Sequence, residues 1–212
     1  MTILSWPFQP RESPLTPARR WGLLAGGLLT EVNDGGYDSL WFPFGRSRSR
    51  EYLRGGWSTS NKADLVRIHD WLVLEGHRVP CALDCCHVRE MEMGAVPYDP
   101  NHPRIKLYRW ISSNFQALQQ SRLVAWDYSR LVNVARWGYT AGYVDETIAW
   151  QWIMEAARAI QEAYSDCTEI GDDFLLGLGG NPAEEQFIEA VKRMREARES
   201  PWRTTPWRTH LG

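Results

Sequence analysis

The sequence predicts an all-α fold, a single-domain helical bundle of about six to seven helices with an irregular arginine-rich connection and extended termini. Two observations lead there. Apolar residues return at intervals of three and four along most of the 212 residues, the period of a helix with one buried face, and no stretch alternates long enough to make a strand. Helix-start and helix-stop signals punctuate those stretches, and a hydrophobic content of 43% with 12% aromatic suffices for one packed core. The domain is expected over residues 17–199, between an N-terminal arm over 1–16 and a C-terminal tail over 200–212.

The elements follow in order. Thr16 before Pro17 is a helix start, because the hydroxyl caps and proline suits the first helical position. That helix is expected to run through Trp21, Leu23, Leu24 and Leu28 to about Val32, where Asn-Asp-Gly-Gly stops it. From Tyr37 to Gly56 the chain reads as an irregular, solvated connection with a short helix around Ser47 to Leu53. Ser58 or Ser60 caps the next helix, whose buried side is Leu65, Ile68, Trp71, Leu72 and Leu74 and which Gly76 closes. Two short elements are expected in VPCALDCCHVREMEMGAVPYDPNHP. Further helices are predicted from Pro103 to about Gln120, along LVAWDYSRLVNVARWGYTAGY, from VDET to Ala163, from Thr168 to Leu178, and from Ala183 to Glu199.

Composition excludes several functions. A net charge of −2, a pI of about 6.2 and a mean hydropathy of −0.44 give no field that would gather nucleic acid or an anionic membrane. No apolar run approaches the roughly 20 residues needed to span a bilayer, and MTILSWPFQPRESPL lacks the basic start and apolar core of a signal peptide. A cytoplasmic location without membrane association is expected. Three of the four cysteines, Cys81, Cys85 and Cys86, crowd together with Cys167 far off, which points to reduced thiols and not to a disulfide framework.

Chemistry needs groups at suitable spacing. The run from Cys81 to His87 has zinc-ligand types but lacks a distant second pair, so neither a metal nor another cofactor is expected. Cys86 could be paired with His69, His77 or His102 as a nucleophile, a freedom of choice that carries little information. There is no G-x-S-x-G, H-E-x-x-H or phosphate-loop motif. Glu169, Asp172 and Asp173 read as solvated or helix-start charges. In the long central helix, Asp127 and Arg130 stand at i, i+3 and can meet, with Trp126, Arg130 and Trp137 along a stripe that offers the guanidinium an indole face. A structural staple is the preferred reading of that pair. Were the chain an enzyme, the catalytic candidates would be His77, Arg78, Asp127 and Arg130.

The blocks RRWGLLAGGLLTEVNDGGYDSL, LVRIHDWLVLEGHR, AWDYSRLVNVARWGYTAGYVDETIAWQWI and AYSDCTEIGDDFLLGL, in that order, resemble the bacterial family called domain of unknown function 1266 over approximately Pro17 to Leu178. The resemblance sets Trp21, Asn33, Gly76, His77, Arg78, Trp126, Asp127, Arg130, Gly142 and Tyr143 on motif positions. It fails at Ser165-Asp166-Cys167 and Gly177-Leu178, where the family tends to have Ser-Ser-Trp and a glycine followed by arginine. It implies a bacterial cytosolic accessory protein, in an immunity or adaptor role beside a secreted toxin, and no reaction.

The remaining candidates are aromatic and basic. Twelve tryptophans exceed what one bundle core of this length ordinarily needs, so some are expected at the surface as contact residues for a protein partner, a toxin or effector in particular. Those named are Trp41 and Trp57 with Arg46, Arg48, Arg50 and Arg54, and Trp202 and Trp207 in SPWRTTPWRTHLG. For the tail, capping of the chain's own body is an equal alternative. For the arginine segment, nucleic-acid binding is the minor one. Trp126, Trp137, Gly142 and Tyr143 join Asp127 and Arg130 as structural candidates.

Overall fold

Residues 14–179 and 184–212 are described in a computed structural model of the protein. Most of the expected N-terminal arm lies outside them. Among the described residues the fold is all-helical, ten helices and a terminal single turn: α1 (Pro17–Ala25), α2 (Gly27–Val32), α3 (Gly45–Trp57), α4 (Lys62–Leu74), α5 (Arg78–Glu92), α6 (Ile105–Ser121), α7 (Val124–Ala141), α8 (Glu146–Ala163), α9 (Cys167–Leu178), α10 (Glu184–Glu196) and α11 (Pro201–Thr204). The architecture is a ring around α7, which packs on α1, α2, α3, α4, α8 and α9. Every residue of α7 from Ser129 to Ala141 is buried.

Several starts and stops obey the local signals. Thr16 accepts from the Arg19 amide at 3.2 Å with Pro17 behind it, and Asp145 accepts from Ile148 at 2.9 Å to open α8. The cap of α4 is Asn61, which accepts from Asp64 at 3.0 Å, while Ser58 sits at φ 49° as the left-handed end of α3.

The helix count is higher than expected for three physical reasons. The first helix breaks at Gly26, where α7 comes so close that a Cβ would lie 2.5 Å from Val132 Cγ1, and two α7 side chains donate to carbonyls at the break. Ser129 Oγ donates to Ala25 O at 2.6 Å and Asn133 Nδ2 to Gly26 O at 2.8 Å. The arginine-rich connection is largely helical: 12 of its residues, 45–56, belong to α3, which contains the short helix expected around Ser47 to Leu53, buries Ser49 and Leu53 and lies along α7. Tertiary burial has overridden two glycines and a run of arginines there. The cysteine segment, expected as two short elements, is one 15-residue helix, α5, with Pro80 accommodated in its first turn. Helices α5 and α6 build a second small core of Cys85, Val88, Tyr108, Ile111, Leu118 and Leu123 beside the main one.

The tail folds back on the body. Trp202 is buried, Trp207 meets Trp21 edge to face with ring centroids 5.2 Å apart, and Gln161 Nε2 donates to Trp207 O at 2.7 Å and Thr209 O at 3.0 Å. No helix among the described residues is long and apolar enough to cross a membrane.

Candidate functional site

The turn between α4 and α5 delivers Gly76, His77 and Arg78 onto Asp127, near the start of α7. Glu75 and Gly76 both donate to Trp71 O, at 2.9 and 2.7 Å, and Gly76 takes φ +59°, so the chain reverses in a left-handed helix end. The reversal aims two free amides of the next helix at the carboxylate. His77 N lies 2.9 Å from Asp127 Oδ1, and Arg78 N lies 3.2 Å from Oδ2. The approach is so close that a Cβ on Gly76 would sit 2.0 Å from Oδ2.

Two guanidiniums complete the shell. Arg130 Nη2 donates to Oδ1 at 2.5 Å, and Arg78 Nη1 donates to Oδ2 at 2.9 Å. Arg78 also holds the carbonyls of Leu72, at 2.7 Å, and Val73, so it closes the end of α4 while it binds the α7 carboxylate. Arg130 donates through Nε to Trp126 O at 2.9 Å and lies against the rings of Trp126, at 4.4 Å, and Trp57, at 5.6 Å. Trp137 is not its partner: that indole packs on Phe42 and Tyr52 instead. The His77 ring, 51% exposed, stands over the cluster with Nδ1 2.8 Å from Arg130 Nη2 and 3.7 Å from Asp127 Oδ1.

Electrostatics follow from that shell. Burial would raise the Asp127 carboxyl, but the His77 ring, the Arg130 charge and the two amides outweigh it and hold the group below the ordinary carboxylate range. Burial draws the Arg130 guanidinium down to about 10 against the pull of Asp127, which leaves it charged at neutral pH. Asp127, with 0% exposure, has five donor contacts and no face toward solvent, so it presents no lone pair to an incoming substrate. All four enzyme candidates are thus brought together, with the imidazole edge of His77 as their most accessible part.

Two further polar assemblies on α7 were missing from the sequence reading. Asp173, read above as a solvated or helix-start charge, is buried and reaches from α9 to accept from Leu123, Ala125 and Trp126 at 3.1, 2.7 and 3.2 Å. It caps α7, whose entry passes through two left-handed residues, Arg122 and Leu123. Arg136 is wholly buried, donating to Thr30 Oγ1, Gly36 O and Ser39 O at 3.0, 2.8 and 2.9 Å over the Phe42 ring. Its signal was the arginine of R-x-G-x-x-x-G-Y, one period beyond Asn133 on the same polar stripe.

The basic candidates on α3 divide. Arg50 Nε donates to Ala141 O at 3.0 Å and its guanidinium covers Tyr143, closing α7 beside Gly142 at φ +79°. Arg46 lies over Gly142, Arg48 covers Phe44 and Tyr52, and Arg54 is exposed. Trp41 and Trp57 are half-buried, Trp41 against Tyr139. Trp207 is half-buried and Trp202 fully so; of the two positions expected for Trp202 the burial fits capping of the body and not the surface, because Ser200 starts a turn that folds it under α10.

Among the described residues no three His, Cys, Asp or Glu side chains stand close enough to hold a metal ion. Burial, with Cys85 beside it, pushes the Cys81 thiol up to about 12, so it is protonated at neutral pH and a poor nucleophile. Cys81, Cys85 and Cys86 instead line a groove of about 560 Å³ between α5 and α6, with Val79, Leu83, Phe115 and Leu118, and with Arg78, Arg89 and Arg122 around it. Where the family pattern fails, Cys167 packs half-buried on the main core and Leu178 is buried in it.

An all-helical domain built around one polar, buried central helix is the class these features define. The model of the family described as protein of unknown function (DUF1266) matches residues 52–207, and the chain belongs to that family. The match takes in the α4–α5 turn, all of α7 and the folded tail to Trp207, and leaves α1 and α2 outside it. No curated protein and no solved structure matches the chain.

Proposed function

We propose that this chain is a non-catalytic protein-binding domain, acting as an immunity or adaptor protein toward a toxin or effector. The observation that carries the reading is the face of α5, where Val79 and Leu83 stand 41% and 67% exposed at i, i+4 beside the groove. Large apolar side chains adjoining a concave surface are the usual anchor of a protein contact. The saturated shell of Asp127 supports it from the other side, since a carboxylate that spends every lone pair on its own chain is suited to holding a fold. The immunity or adaptor role rests on the family resemblance and not on geometry.

The test is a photo-crosslinking amino acid at position 83, read in the source cells by mass spectrometry against the same probe at exposed Arg54. One protein captured from position 83 alone, whose toxicity is suppressed when the two are co-expressed, is the expected result. Equal capture at both positions, or turnover of a small molecule lost with His77→Ala in a folded protein, would overturn the reading.

A further inference from the structure

We infer that the groove between α5 and α6 receives an acidic amphipathic helix of about three turns, its carboxylates flanking a short apolar stripe; this rests on the protein-binding reading above and specifies its partner. The length comes from α5. The groove-lining residues run from Arg78 to Arg89, and at about 1.5 Å per residue these ends are roughly 16 Å apart. Between them the α5 wall is apolar or thiol, and α6 adds Phe115 and Leu118. Two helices and a groove make an incomplete three-helix layer, which a third amphipathic helix completes by laying its i, i+4, i+7 side chains into it.

The sign of the partner comes from charge. Three arginines line the groove, with no aspartate or glutamate among its described lining residues, in a chain whose net charge is −2. Arg78 shares the Asp127 carboxylate with Arg130 and is turned to the body of the fold, whereas Arg89 and Arg122 are exposed. A partner with carboxylates at its ends meets those two charges, and a basic helix meets repulsion. The thiols suit the apolar contact: burial raises Cys81 to about 12 and raises Cys85 as well, so both behave as small hydrophobes.

The experiment uses the full chain and two labelled synthetic peptides of about fourteen residues. Both are helical with leucines at i, i+4 and i+7; one ends in glutamates and the other in lysines. Fluorescence anisotropy should give the glutamate peptide at least about tenfold tighter binding at low salt, a preference that added salt erodes. Leu83→Glu, at an exposed position, should abolish binding with an unchanged melting temperature, and Arg89→Glu should remove most of the preference. Equal binding of the two peptides overturns the acidic partner while leaving α5 a docking face. Binding unaltered by Leu83→Glu, no binding of either peptide, or occupation by dodecanoate with no peptide binding overturns the inference altogether.

Discussion

At the scale of single residues, Asp127 decides most. Asp127→Ala strands two guanidiniums and two amides, so a loss of about 3–5 kcal/mol is expected in urea unfolding. Adding Arg130→Met should return only part of it, because Arg78 and the amides stay unpaired. Acid titration gives a second check with a defined sign. The folded Asp127 carboxyl titrates below its unfolded value, so its contribution is complete above about pH 4 and disappears as pH falls through the folded value. The stability gap between parent and Asp127→Asn should therefore narrow on acidification. For Asp173, burial raises the folded carboxyl despite its hydrogen bonds, so its contribution is present below about pH 4 and is lost as pH rises through the folded value. Parent relative to Asp173→Asn should gain on acidification, the opposite trend. The i, i+3 contact of Asp127 and Arg130 was legible, because helical spacing alone sets it. His77 and Arg78 were named beside the pair only as members of one candidate pocket; the ion pair from Arg78 was not legible, since a bond across 49 residues depends on how the α4–α5 turn lands.

Among elements, the junctions carry the information. Gly76→Ala must hold a Cβ at φ +59° where Asp127 Oδ2 already lies, so a cost of at least about 2 kcal/mol is expected, measurable as a lowered unfolding midpoint. Gly177 answers to a different constraint. A Cβ there would come 2.4 Å from Trp126 Cγ, at the rigid base of an indole that cannot swing aside, and Gly177→Ala should cost about 1–3 kcal/mol by forcing α9 off α7. Helix starts at Thr16 and Asp145 were readable because their caps are contiguous with their helices. The break at Gly26 was not, for the surface it packs on, Val132 and Asn133 of α7, is more than 100 residues away. Of α3, only the short helix around Ser47 to Leu53 was readable; its extension at both ends was not, because packing along α7, whose end Arg50 closes, sets it.

For the whole molecule, the tail belongs to the body as much as to the surface. Removing 201–212 uncovers Trp21 and deletes the buried Trp202 and Leu211, so the truncated chain should lose at least about 3 kcal/mol and melt earlier, as read by calorimetry. A truncated chain with an unchanged melt would assign those tryptophans to contact with other molecules instead. The fold class was visible in the sequence because period and punctuation are local; the ring arrangement was not, because it is defined by polar side chains reaching across the chain. One such reach has a consequence for synthesis. Thr30 and the carbonyls of Gly26, Gly36 and Ser39 find their partners in Asn133 and Arg136, separated from them by about a hundred residues. A ribosome adding about 5–20 residues per second makes α1 and α2 long before α7 exists. For on the order of 5–20 seconds the nascent chain carries that apolar face and those polar groups in water, and the first two helices dock only once α7 has been made.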